Sequence, residues 1–184
     1  MKTTLIALHD RIFTPLERAD WLLPTLARLV FAAVLLGYFW ASGLTKLGDG
    51  LTGIFQPSLG AYAQIFPRAM EAAGYDITQF GLWHKLVVLA GTWAEFILPL
   101  LIVLGLMTRL AALGMIGFVI VQTLTDLFGH GALAHPETLG AWFDRVPDTP
   151  ILDQRALWFV LLMVLVVKGA GALSLDRILT RAMR

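Results

Sequence analysis

The chain has 184 residues, 58% hydrophobic and 15% charged, with a formal net charge of +1, which is far too apolar for a soluble domain and places it among membrane proteins. No block of five or more like charges offers a nucleic-acid footprint. The absence of cysteine excludes disulfides, thiol catalysis, cysteine-ligated zinc and iron–sulfur clusters, so any redox chemistry needs a bound cofactor, a quinone or a partner.

Residues 1–20 mix charges with Leu5, Leu8, Ile12 and Leu16 at near-helical spacing, which predicts a short helix lying in the membrane interface. Trp21 and Pro24 mark arrival at the bilayer. Arg28 interrupts the apolar run and no clear small-x-small cleavage site follows, so the N-terminus reads as mature rather than as a secretory signal. A first span is predicted over about 22–44, long enough at 1.5 Å per residue to cross a hydrocarbon core of about 30 Å. Tyr38, Ser42 and Lys46 stand at i, i+4 and i+8, one polar stripe down its exit half. Arg28 and Lys46 can also simply snorkel.

Residues 47–83 carry too many glycines and prolines for another span. Their middle, Tyr62 to Ala73, suits a short amphipathic helix on the mouth of the bundle, anchored by Phe55, Tyr62, Phe66, Phe80 and Trp83. The second span, about 85–106, carries one acid near its middle, Glu95. An intramembrane carboxylate costs at least about 2.5 kcal/mol on insertion scales and faces a protein or water-filled interior. Pro99 lacks the N–H that would bond the carbonyl of Glu95, so a freed backbone acceptor and a titratable side chain coincide. The two readings are a proton or ligand site and a kinked packing helix whose carboxylate bonds a neighbour.

Gly105 to Arg109 is a tight return, so the third span, about 110–128, lies antiparallel to the second. Gly114 and Gly117 allow close backbone approach there. Gln122, Asp126 and His130 form a second i, i+4, i+8 stripe. Residues 129–155 are another polar connection, in which His130 and His135 lack a third ligand at diagnostic spacing, so no metal site is predicted. The fourth span, about 156–173, holds Lys168 in its second half. Ser174, Asp176 and Arg177 then open a surface helix with Leu175, Ile178 and Leu179 on its apolar face.

The fold class expected is therefore all-α, one integral membrane domain built as a four-helix bundle, with short interfacial helices in the outer connections and at the termini. Nine Lys and Arg lie in the terminal segments and the tight turn, against five in the two long connections. The positive-inside rule then puts both termini in the cytoplasm of a multi-pass inner-membrane protein. Counted at 1.5 Å per residue, Tyr38, Glu95 and Gln122 fall into one layer about 15–20 Å from the cytoplasmic boundary. Ser42, Lys46, His84, Asp126 and His130 are expected to line an outward vestibule above it, with Lys46 approaching Asp126. Arg28 lies too near the inner boundary to pair with Glu95, which leaves Lys168 as its expected counter-charge.

The pattern of Arg28, Ser42-Gly43-x-x-Lys46, Glu95, Leu106-x-Thr108-Arg109 and Gly169-x-Gly171-x-x-Ser174-x-Asp176 resembles the DoxX family of four-helix membrane proteins. That family resembles the small subunit of an archaeal thiosulfate:quinone oxidoreductase. The resemblance implies a membrane-embedded, quinone-linked role, with quinone as the ligand and Glu95 exchanging a proton with it. No electron carrier is encoded: neither a CxxCH haem motif nor a dinucleotide fingerprint is present, so a periplasmic or membrane redox partner must supply electrons. A non-catalytic anchor, assembly partner or ligand carrier for another protein stays open beside it, with the aromatic outer connections as docking surface. A transporter is the third alternative, and it requires a homo-oligomer to give room for alternating access.

Overall fold

The computed structural model describes residues 2–183, whose regular elements are all helical, with no strand among them. Helix α1 (Lys2–Glu17) comes first, its Leu5, Ile6, Leu8 and Ile12 all exposed. It is followed by a 23-residue rod, Leu22–Leu44. Pro24 sits in the rod's first turn, where a missing N–H costs nothing. The rod is α2 (Leu22–Phe31) and α3 (Gly37–Leu44), joined by a wide π-type turn over Ala32–Leu36.

The first connection folds into α4 (Leu59–Ile65) and α5 (Pro67–Ala72), split where Pro67 begins a new helix. The single helix expected from Tyr62 to Ala73 is thus two. Ser58 caps α4, its Oγ accepting from Ala61 N at 3.2 Å. The connection is tied to the bundle by Ser58 N to Lys46 O (3.0 Å) and by Trp93 Nε1 to Ile54 O (2.7 Å). Beneath it lies a small core of Ala61, Tyr62, Met70 and Val88, and burial pushes the Tyr62 phenol pKa up.

Helix α6 (Leu82–Leu104) contains Pro99 and ends on Gly105, whose φ of 67° is the left-handed stop that favours glycine. Helix α7 (Thr108–Leu124) runs back and finishes in a second wide turn, Thr125–Gly129, closed by His130 N to Thr125 O at 2.9 Å. The second connection holds the single-turn α8 (Pro136–Leu139). Helix α9 (Leu152–Lys168) starts four residues before the position expected from hydropathy and stops at Gly169, where φ is 79°. Helix α10 (Leu175–Ala182) is capped by Ser174, whose Oγ accepts from Arg177 N at 3.3 Å.

Packing closes a ring: α7 lies against α6 and α9, α2 against α9 and α6, and α3 against α6. Phe31, Leu35, Phe39, Ile102, Met115, Leu162 and Leu165 form its dry centre. Such side chains gain little by leaving lipid for protein, so close fit holds the helices together. A Cβ on Gly43 would stand 2.7 Å from the Phe96 ring. The outer faces carry exposed Leu26, Leu29, Val34, Ile97, Leu113 and Val160, a belt no soluble surface tolerates. Three helices, Leu22–Leu44, Leu82–Leu104 and Thr108–Gly129, are long and apolar enough to cross a membrane. Helix α9, with 17 residues, covers about 25 Å at 1.5 Å per residue. The chain is an all-α, multi-pass membrane protein.

One end of this bundle is bolted shut by the chain's tail. The Arg28 guanidinium, on α2, donates through Nε to Ile102 O at 2.9 Å and through Nη1 to Ala170 O at 2.9 Å, with further bonds to Val103 O and Leu173 O. It thereby ties carbonyls in the last turn of α6 to carbonyls of the segment that follows α9. Asp176 caps α7 from across the chain: Met107 N donates to its Oδ1 at 2.7 Å, and Thr108 N and Oγ1 donate to its Oδ2 at 3.0 and 2.9 Å. Asp176 N closes the circuit on Gly105 O at 2.8 Å. As expected, Arg28 makes no contact with Glu95.

Candidate functional site

At the other end the helices leave a cavity of about 630 Å³. Both polar stripes line it, because residues four apart share a helix face. Tyr38 and Ser42 come from the first rod and Lys46 from the turn that follows it, Gln122 from α7, Asp126 from its wide turn, His130 from just beyond that turn, and Glu95 from α6. Small residues on the facing walls, Gly91, Ala94, Gly114 and Gly117, make the room. A Cβ on Gly117 would meet nothing within 4 Å. Leu98, Phe118 and Val121 supply apolar wall, and Val121 is 61% exposed, so the cavity opens on the flank of the bundle.

Glu95 is almost sealed from solvent, with Lys46 beside it: their side chains are 4% and 7% exposed and Lys46 Nζ lies 3.0 Å from Glu95 Oε1. Lys46, in the turn just past the rod, bends back onto the rod's last turn, donating also to Ser42 Oγ at 2.7 Å and Ser42 O at 3.3 Å. The Ser42 hydroxyl donates in turn to Glu95 Oε1 at 2.9 Å. The second oxygen, Glu95 Oε2, is buried without a partner. Across the cavity, Arg155 Nη2 is paired with Asp126 Oδ2 and Nη1 donates to Thr123 Oγ1 at 2.8 Å. Gln122 Nε2 donates to Tyr38 OH at 3.0 Å and its Oε1 is buried unpaired; turning the amide over would only exchange which atom is orphaned. His130 Nε2 lies 3.0 Å from Gln64 O, fastening the wide turn to α4.

Three expected partnerships differ from these. Lys46 does not approach Asp126, because its long side chain folds down onto Ser42 and Glu95 while Asp126 is taken by Arg155. Lys168 is not the counter-charge of Glu95: it pairs with Asp20 at 2.9 Å in an exposed bridge at the bolted end, since α9 ends there and carries Lys168 in its last turn. His84 does not line the cavity but stands edge-on between Phe66 and Phe80, at ring centroids 5.0 and 4.9 Å, under the first connection. Arg155, which the sequence places in the polar connection, is a site residue that neither stripe announces. Its signal is periodicity: it lies seven residues, two turns, before Leu162, on the buried face of α9. Among the described residues no group of three or more His, Asp or Glu is placed to hold a metal ion.

Two ion pairs, each neutral in sum, thus line a space with apolar wall between them. Glu95 has one carboxyl oxygen held by a lysine and a hydroxyl and the other buried without a partner. Such an arrangement can bind a neutral ring-sized molecule and exchange a proton with it at the Glu95 carboxyl. No curated protein and no solved structure matches the chain significantly. The sequence model of the DoxX family matches residues 23–135, more than half of the chain and every cavity residue except Arg155, and the chain therefore belongs to the DoxX family.

Proposed function

We propose that the chain is a quinone-linked subunit of a membrane oxidoreductase, in which the cavity receives the quinone headgroup and Glu95 handles its proton. The observation that carries this reading is Glu95, a buried carboxyl held by Lys46 and Ser42, in the wall of a cavity of about 630 Å³, within the range of about 300–1,000 Å³ usual for small-molecule sites. The residues fit such a guest. The cancelling ion pairs impose no charge on it, Leu98, Phe118 and Val121 give it apolar contact, and the exposed flank at Val121 leads toward lipid, where an isoprenoid tail belongs. Quinones supply two-electron, two-proton redox chemistry. The chain's own part is to position the ring, exclude water and accept or return a proton at the Glu95 carboxyl, which Lys46 and Ser42 hold through Oε1. Electrons come from a partner protein, because the sequence encodes no thiolate or haem-attachment motif to carry them. In this reading the protein crosses the inner membrane four times with both termini in the cytoplasm, and the cavity opens toward the periplasmic half.

The completed bond set around Glu95 Oε1 favours a second reading, in which the pair is structural and the protein is a non-catalytic anchor or ligand carrier. One experiment separates them. The protein is extracted with its own lipid into polymer-bounded discs and the bound quinone quantified by mass spectrometry, beside Gly117→Leu, which fills the open space at that glycine. Near-stoichiometric quinone on the native protein and little on Gly117→Leu supports the quinone role. Equal background amounts on both variants reject it and leave the anchor.

A further inference from the structure

The bolted end carries a recess of its own, of about 480 Å³, between the start of α7, the end of α9 and the start of α10. Three cationic side chains line it, Arg109, Lys168 and Arg177, with one carboxylate, Asp176. That carboxylate is already taken: its oxygens accept from Met107 N, Thr108 N and Thr108 Oγ1, at the positive end of α7. The cations keep donors to spare. Arg109 gives one of its five N–H groups to Val167 O at 3.2 Å. Lys168 gives one of its three to Asp20, in a bridge exposed on both sides, and such bridges hold weakly. The Arg177 side chain has no hydrogen-bond or ion-pair partner among the described residues. Behind the wall Arg28 holds Ala170 O at 2.9 Å and adds to the positive field. Gly169 makes the approach possible, since a Cβ there would stand 3.3 Å from Arg109 Nε. A recess rich in donors and positive charge, its one carboxylate engaged, takes an anion.

The surface beside the recess says which anion. Leu113 and Ile120 stand four and eleven residues after Arg109, on its face of α7, and Met163 and Val160 stand four and seven before Val167, on its face of α9. All four are exposed. The bond from Arg109 to Val167 O and the packing of α7 on α9 bring the two faces side by side, so an apolar furrow runs from the recess along the outer belt of the bundle. A free phosphate uses the recess alone, whereas a phospholipid uses both. We propose that the recess binds the headgroup of an anionic phospholipid, its phosphate among Arg109, Lys168 and Arg177 and an acyl chain along the furrow between α7 and α9. The site is separate from the quinone reading, because none of its residues lines the large cavity. A zwitterionic lipid would bring its own cation in among the three and gain less. Each basic side chain facing an anionic lipid corresponds to about fivefold in affinity.

The test uses the full chain, purified in dodecyl maltoside and stripped of lipid by prolonged washing. It is titrated with dioleoylphosphatidylglycerol or dioleoylphosphatidylcholine, and lipid bound per chain is counted by native mass spectrometry. One phosphatidylglycerol per chain is expected to bind at least about 10-fold tighter than phosphatidylcholine. Arg177→Gln breaks no internal bond of that side chain and should reduce this preference by about fivefold. Arg18→Gln removes an exposed cation two residues from Asp20, at the same end but outside the recess, and should leave the preference unchanged. Equal affinity for the two lipids overturns the proposal. A preference unmoved by Arg177→Gln places the lipid elsewhere and overturns the site. An equal loss in Arg18→Gln overturns it too, because the preference would then belong to the whole basic end. Inorganic phosphate that displaces phosphatidylglycerol at equal concentration would show that the furrow contributes nothing, and would replace the lipid with a free anion.

Discussion

Lys46 and Glu95 form the most deeply buried ion pair among the described residues, so removing one partner is expected to cost more than removing both. At 3.0 Å and an effective dielectric of about 20, the attraction is about 5 kcal/mol. Against it stands the loss of hydration of two ions, also several kcal/mol, so the intact pair contributes little net stability. Lys46→Met leaves the Glu95 carboxylate buried with only Ser42 as donor, at an expected cost of about 3–5 kcal/mol. Glu95→Leu strands the ammonium at a similar cost. The double variant removes both charges, fills the space with apolar atoms and is expected to lose less than either single variant, short of the sum of the two losses by a coupling of at least about 2 kcal/mol. Unfolding by sodium dodecyl sulfate in mixed micelles, followed by the fluorescence of the six tryptophans, measures each term. Losses that add to within about 0.5 kcal/mol would show that the two groups do not share a buried environment, and the site as described would fall.

Arg155→Met is expected to destabilise by about 1–3 kcal/mol, less than Lys46→Met because its partner Asp126 is 29% exposed, and Asp126→Leu beside it should recover most of the loss in the same titration. Asp176→Ala removes the cap of α7 and should cost about 1–3 kcal/mol, while ligand affinity per folded molecule, measured calorimetrically, stays within about twofold. Gly105→Ala forces a side chain onto a φ of 67° and brings its Cβ within 2.8 Å of the Arg28 guanidinium carbon; a loss of at least about 1–2 kcal/mol is expected. Because the chain has no native cysteine, single cysteines at the exposed positions Asp49, Ala141 and Thr180 report topology. The first two are expected to react with an impermeant maleimide added outside intact cells and the third only after lysis; labelling of Thr180→Cys in intact cells would invert the orientation.

The helices were legible because hydropathy and helix breakers act locally. Apolar runs set their number, and glycine and proline set their ends, as at Gly105 and Pro67. Where those signals were weak the bounds moved: α9 starts at Leu152 because Asp153 holds Thr149, through N at 3.0 Å and Oγ1 at 2.6 Å, ahead of the apolar run. The stripes Tyr38–Ser42–Lys46 and Gln122–Asp126–His130 were legible too, since spacing alone fixes a shared face. Their partners were not. Counting 1.5 Å per residue gives the height of a side chain in the bundle and says nothing of its azimuth, so Lys168 and Asp126 were matched to groups that face elsewhere. Lys46 adds a second ambiguity, because a four-carbon stem can reach up to water or down to a carboxylate, and here Glu95 and Ser42 decide for down.

The residues that carry the family resemblance divide between the two ends of the bundle. Arg28, Thr108, Ser174 and Asp176 hold the tight turn and the tail together through bonds to backbone groups, and none of them lines the cavity. Ser42, Lys46 and Glu95 are at the open end and bond chiefly to one another. A bilayer gives antiparallel helices little reason to close on a single geometry, so a bolt at one end lets the other stay open around a polar space without the bundle coming apart. Arg155 and Asp176 lie beyond residues 23–135, yet one completes the cavity and the other the bolt. The segment after residue 135 therefore belongs to the working unit, and a chain truncated before α9 should lose both the second ion pair and the cap of α7 at once.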